Sequence, residues 1–431
     1  MKLAYDQKLD LRAPVDDLRE SMLQFQGQWY LDGRASDPRE LGWMRGSPPP
    51  VDKRITFESG AFLDPPHNRW SLSHMRELMG TVNVWRGYGP AHQFERSDKT
   101  SEIDALRFVD TNGRTCRFDE ALFDTYTDGI LVLHRGQIIY ERYFGALEPH
   151  LPHVCMSVTK SYAGTLAAAL IHESVLDDSK LIPYYLPELR GTGWQDATLR
   201  QLMDMQVGLA YDEVYTDKHS SVWELTRASN ELPRPVDYAG PRTLCDYLRS
   251  LRKEGEHGKT FAYASVNTDV IAWVMARVTG YSFAQLLQKR FWAPLGCEED
   301  GYISVDPAGM ALANGGLSAT LRDLGRFGEL VRREGEWGGK QLIPAPVVDD
   351  VRNGDHPAKL PGGYSYRSQW WITHDELGAV EARGINGQRI YIAPGAEMVV
   401  ARFASHPLAS STSGDVVTSP QFLALGRMLR E

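Results

Sequence analysis

The amino-acid sequence predicts a mixed fold: an α/β lobe with an antiparallel sheet flanked by helices, assembled from two distant stretches of chain, and an all-α lobe inserted between them. Three observations carry this. β-rich apolar runs occur near residues 128–144 and again after residue 365, apolar residues recur at helical spacing between them, and in one run, "KSYAGTLAAALIHES", small and aliphatic residues cover nearly the whole helical circumference. Strands at both ends that enclose a helical insert place distant parts of the chain in one lobe.

The elements follow in order. Residues 1–60 are rich in turn formers, including "GSPPP" at 46–50, and read as an irregular amino-terminal extension. Residues 61–174 and 306–431 are assigned to the α/β lobe, and residues 175–305 to the helical lobe. In "GILVLHRGQIIYERYFG" two apolar segments flank Arg135-Gly136, the pattern of a hairpin. The run after Ser157 follows it, and a helix apolar on every side belongs inside a protein. "ATLRQLMDMQ", "TLCDYLRSLRKEG", "NTDVIAWVMARVTG" and "SFAQLLQKRFWAPLG" each show spacings of three and four, and "TLRDLGRFGELVRREG" adds another helix. "SYRSQWWITH", "QRIYIAP" and "EMVVARFAS" read as strands, the last two joined at Pro394-Gly395-Ala396, and "SPQFLALGRMLRE" as a closing helix.

Composition limits the function classes. With 431 residues, 42% hydrophobic and 24% charged, the chain can bury a large core and is neither disordered nor fibrous. Its net charge of −9 and the absence of any basic run argue against a nucleic-acid partner. Cys116, Cys155, Cys245 and Cys297 have no ligand spacing and are expected to be free thiols in a reducing compartment. The start, "MKLAYDQKLDLRAPVDDLRE", has no apolar signal-like core, and "YAGTLAAALI" is about half the length of a membrane span. A soluble cytoplasmic protein, monomer or homodimer, is the expectation, with no membrane partner.

The chemistry starts at "HVCMSVTKSYAG", residues 153–164. Positions i and i+3 of a helix are neighbours on one face, so the Ser157 hydroxyl can reach the Lys160 amine. Serine needs a base to act as a nucleophile, and lysine serves when burial or a nearby cation favours its neutral form. A nucleophile at a helix start also lies beside unpaired backbone N–H groups that can hold an oxyanion. The same spacing fits a capping serine with a lysine reaching out to solvent, so later elements must decide. No histidine pair has HExxH spacing, and His153 reads as a loop residue rather than a base.

S-x-x-K is the first of three boxes in penicillin-binding proteins and serine β-lactamases. Tyr263 follows in "FAYASVNTDVIAWVMARVTG", where class C β-lactamases and their relatives carry a tyrosine box, and "GINGQ" at 384–388 precedes a strand pair where their third box lies. The chain thus resembles the class C β-lactamase-like superfamily, and more narrowly the 6-aminohexanoate-dimer hydrolases. The blocks "DPPHNRWSLSHM", "TYTDGILVLHRG", "MSVTKS", "LMDMQVGLAYDEVY", "SVNTDVIAW", "ANGGLSATLRDLGRFG" and "QWW" carry that likeness from about residue 60 onward. By this resemblance the nucleophile is Ser157, its lysine Lys160 and the catalytic tyrosine Tyr263, with Tyr215, Ser265 and Asn314 touching substrate and Ile385 acting through its backbone N–H.

The resemblance implies a class C β-lactamase-like fold and hydrolysis of amide or ester bonds of small linear substrates through an acyl-enzyme on Ser157, with Lys160 hydrogen-bonded to Tyr263 and no metal or organic cofactor. Two departures qualify it. The third box has no Lys-Thr-Gly, so the cation that helps hold a penicillin carboxylate is missing. In the 211–235 loop no carboxylate aligns with one that could pair with a substrate amine, Asp217 and Glu224 being only neighbours. The alternatives are a carboxylesterase without physiological amidase activity and a non-catalytic sensor on a penicillin-binding scaffold.

Overall fold

In the computed structural model the described residues are 21–353, 360, 362–410 and 412–431; the first twenty residues of the expected amino-terminal extension lie outside them. The centre is an antiparallel seven-stranded sheet. In chain order its strands are β1 (Thr127–His134), β2 (Gln137–Tyr143), β3 (Ser365–Arg367), β4 (Trp370–Ile372), β5 (Val380–Arg383), β6 (Arg389–Ala393) and β7 (Met398–Ala404). Their spatial order is β3-β4-β5-β6-β7-β1-β2. The β7–β1 pairing, with Val400 opposite Val132, joins the two distant stretches as expected.

Alternation along the strands divides the core. Leu131, Leu133, Ile390, Ile392, Val399 and Ala401 face one hydrophobic cluster, whereas Ile130, Val132, Tyr391, Ala393, Met398 and Val400 face another. A period of two is what a sheet covered on both faces requires. The helices needed here are α1 (Val158–His172), α2 (Leu199–Met203), α3 (Ser221–Ala228), α4 (Val266–Thr279), α5 (Leu321–Arg332) and α6 (Thr412–Arg430). Leu324, Phe327 and Leu330 of α5 belong to the first cluster, and Phe422 and Leu425 of α6 to the second.

Helix α1 is the buried helix that its all-round apolar sequence predicts, with 13 of its 15 residues buried. Gly164 allows its close approach to the β3–β4 turn, because a Cβ there would lie 2.2 Å from the Ser368 carbonyl oxygen. Between Ile182 and Leu295 the regular elements are all helices, joined by long loops. Among the described residues no single helix is long and apolar enough to cross a membrane.

The amino-terminal stretch is more ordered than its turn-rich sequence suggests. A hairpin pairs Met22–Phe25 with Gln28–Leu31. Further on, Trp43, Phe62, Trp70 and Met75 form a cluster with Val154, and Met156 packs against it. Long-range packing, which the local pattern does not encode, supplies this order.

Candidate active site

Ser157 stands at the N-cap position of α1, yet its side chain makes no capping hydrogen bond. Its backbone is in the αR region, and the preceding Met156 has a φ of 48°, in the left-handed region. The Ser157 hydroxyl instead accepts a hydrogen bond from Lys160 Nζ at 2.8 Å. Lys160 is 1% exposed and gives a second bond to the Asn314 carbonyl at 2.6 Å. Serine and lysine are thus joined by the contact that their spacing allows.

Tyr263 faces the same amine differently from the expectation. Lys160 Nζ lies over the Tyr263 ring, 5.2 Å from its centroid, and among the described residues no hydrogen bond links it to the phenol. The ring is held by Trp371 of β4, stacked at 5.8 Å and 25°. Lys160 Nζ donates instead to Ser157 and the Asn314 carbonyl.

Asn314 is fixed from behind. Its backbone N–H and its Nδ2 donate to the two oxygens of Asp269 in α4, at 3.0 and 2.8 Å. Burial pushes the Asp269 carboxyl up to about 7, against the hydrogen bonds from Asn314 and the charge of Lys160. Asp269 thus does more than add charge to a first helical turn. Ser265 occupies the N-cap of α4 without a side-chain cap bond; its backbone N–H donates to Glu213.

Ser157, Tyr215, Tyr263, Ser265, Asn314 and Ile385 all line one cavity of about 850 Å³, so the residues singled out in the sequence are brought together. Gly384 lets the Ile385 turn come close: a Cβ there would stand 2.7 Å from the Cys155 carbonyl and 3.0 Å from Met156 Cβ. Neither the Ser157 nor the Ile385 backbone N–H has an acceptor among the described residues. Leu63, Met75, Met79, Val154, Met156 and Leu232 supply apolar lining to the same cavity.

Four charged residues of the cavity, Asp64, Glu213, Glu231 and Arg383, were not singled out in the sequence. Glu213 and Glu231 line it, both within or beside the loop where no carboxylate aligned. Glu213 accepts from the Tyr211 and Tyr215 hydroxyls at 3.0 and 3.2 Å. Burial, and then the charge of Glu213, raises the Tyr215 phenol well above its ordinary range. The Ser229 hydroxyl donates to Glu231 at 2.9 Å, and burial holds that carboxyl above its usual value. Arg383, directly before Gly384, brings a cation to the third box. Its guanidinium pairs with Asp415 and Glu381 and lies over the Trp371 ring, 5.5 Å from the centroid.

His153 is a buried strand residue rather than a loop residue; it stacks on Phe403 at 4.5 Å and faces Asp128 at 3.3 Å. All four cysteines are free.

A buried lysine bonded to a serine at a helix start, beside unpaired N–H groups and a tyrosine, belongs with the β-lactamase-fold hydrolases. The chain is a member of the beta-lactamase family, whose model matches residues 120–412. It is 33% identical over 355 residues to a 6-aminohexanoate-dimer hydrolase of Paenarthrobacter ureafaciens, covering 80% of this chain and 88% of that one. A solved structure from Bacillus anthracis, assigned by name as a 6-aminohexanoate-dimer hydrolase, superposes with a TM-score of 0.80 at 34% identity, over 85% of this chain and 96% of the other. A family VIII carboxylesterase shares the fold at 15% identity and a TM-score of 0.53, over 70% and 93% of the two chains.

Proposed function

We propose that this hydrolase cleaves amide or ester bonds of small linear substrates through an acyl-enzyme on Ser157. The observation that carries this reading is the 2.8 Å bond from Lys160 to a serine hydroxyl not engaged in helix capping. In the reaction the neutral Lys160 amine accepts the Ser157 proton as the oxygen attacks the substrate carbonyl, forming the C–O bond. The Ser157 and Ile385 N–H groups receive the oxyanion; a donor of this kind contributes about 3–4 kcal/mol. Tyr263 delivers a proton to the departing amine or alcohol as the scissile bond breaks. Water, activated by the same groups, then releases the acid and regenerates the serine.

The two relatives named for 6-aminohexanoate-dimer hydrolysis suggest the substrate class. A linear dimer of that acid carries an ammonium, an apolar chain around one amide, and a carboxylate. The methionine-rich wall suits the chain, and Glu213 and Glu231 suit a cationic amine. Esters are expected to turn over as well, because an alcohol leaves more readily than an amine.

The test compares wild type with Ser157→Ala on a p-nitrophenyl ester and on linear 6-aminohexanoate dimer. Near-complete loss of both activities, about 1,000-fold or more, with unchanged circular dichroism is expected. Retained ester turnover contradicts the assignment.

A further inference from the structure

Part of the cleft's lining comes from the amino-terminal end of the chain. Ahead of the stretch that the family model matches, Gln26, Leu63, Asp64, Pro65, Met75 and Met79 line the same cavity as Ser157. Gln26 sits at the tip of the amino-terminal hairpin, where Phe25 pairs with Gln28 across a two-residue turn. Gln26 and Gly27 have φ of 50° and 80°, as a tight primed turn demands. The tip therefore has a defined shape.

Its base is pinned to the body of the protein. The Tyr126 hydroxyl donates to the Leu31 carbonyl at 2.8 Å, and Arg69 Nη2 donates to the Gly33 carbonyl at 3.1 Å. At the tip, the Phe25 ring meets His406 edge-on at 4.9 Å. His406 begins a strap whose next four residues, 407–410, line the cavity. That strap grips the turn bearing Ile385: the His406 N–H donates to the Asn386 carbonyl at 3.0 Å, and the Asn386 N–H to the Ala409 carbonyl at 2.9 Å. Asn386 Nδ2 adds a bond of 2.8 Å to the His406 carbonyl.

We propose that the hairpin tip at Gln26, braced by Phe25 against His406, with Pro65 and the 407–410 strap, caps the end of the cleft beside Ile385 and sets the length of the linear substrate arm that can lie there. This rests on the hydrolase reading at Ser157. Methylenes that fit under the cap are withdrawn from water, whereas one too many must displace a pinned turn or fold back. In a closed apolar site a single methylene changes kcat/KM by roughly 10-fold or more.

The experiment measures kcat/KM for two ester series, p-nitrophenyl esters of straight-chain acids from acetate to dodecanoate and acetates of straight-chain alcohols, in wild type, Gln26→Gly and Gln26→Trp. In at least one series the wild type is expected to lose rate beyond a threshold length. Gln26→Gly moves that threshold to longer arms and Gln26→Trp to shorter ones, changing the long-to-short ratio in opposite directions by about fivefold or more. Gln26→Trp keeps the side chain that Gln26→Gly removes, and unchanged circular dichroism and urea midpoints qualify each variant as a folded probe. Ratios unchanged in both series, or all substrates shifted by one common factor, overturn the proposal. Unchanged ratios beside an inactive Ser157→Ala refute the cap and leave the serine chemistry standing.

Discussion

Ser157 differs from an ordinary capping serine in where its hydroxyl points, and that difference depends on a few neighbours. Its contact with Lys160 is legible in the sequence because helical geometry alone brings positions i and i+3 together. What holds Lys160 is not legible: the Asn314 carbonyl and, behind it, Asp269 arrive from separate elements. Glu213 and Glu231 escaped notice for the same reason, since loop geometry rather than spacing turns them into the cleft. Asp269 makes this arrangement sensitive to pH. Its folded value of about 7 exceeds the unfolded value of about 3.9, so its contribution to stability is full below about pH 4 and is lost as pH rises through about 7. Asp269→Asn removes that titration and one acceptor. Its stability relative to wild type, from urea melts, should improve by on the order of 2–3 kcal/mol between about pH 5 and about pH 8; a difference that stays constant with pH contradicts this role.

At the scale of elements, patterns that report burial were read well. The hairpin β1–β2 turns at Arg135 and Gly136, the pair β6–β7 at Pro394–Ala396, and α1 is buried on all sides. "SYRSQWWITH" holds two strands, β3 and β4, with a tight turn between them at Ser368 and Gln369, both of positive φ. No glycine or proline marks that turn, so nothing local announces it. The turn receives α1 instead: the Ser161 hydroxyl donates to the Gln369 carbonyl at 2.7 Å, and Gly164 leaves room for Ser368. Gly164→Ala sets helix propensity, worth about 1 kcal/mol in favour of alanine, against a backbone clash inside a packed core. The clash wins, and a net destabilisation of about 1–3 kcal/mol is expected from urea unfolding. An unchanged or higher midpoint contradicts the close packing.

For the whole molecule, the sheet that joins distant segments was legible because strand-like runs stand on either side of a helical stretch. The part played by residues 21–79 was not, because turn-rich sequence gives no sign of what it will pack against. Arg69 illustrates the point: it is 4% exposed and bonds Asp128 at 2.6 Å and the Tyr126 carbonyl at 3.0 Å, tying the amino-terminal stretch to the sheet. At the other end, Asp415 of α6 pairs with Arg383 and Arg389, while Glu381, 1% exposed, lies 3.4 Å from Arg389. The charges compensate one another only as a set. Asp415→Ala removes a carboxylate that Arg383 and Arg389 share, and a loss of about 3–5 kcal/mol is expected in thermal or urea unfolding. A loss below about 1 kcal/mol, the worth of a surface pair, would contradict the latch. Arg383 also reaches the cleft, so this variant tests whether the latch supports the third box.

Covalent capture of the nucleophile bears most directly on the central claim that Ser157 is acylated. The protein is treated with a fluorophosphonate, its intact mass is measured, and the modified peptide is sequenced by tandem mass spectrometry. One phosphonyl group per chain on Ser157, blocked by a competing ester substrate and absent from Ser157→Ala, is the predicted result. An enzyme that hydrolyses esters yet stays unlabelled, or carries the label on another residue, would contradict it.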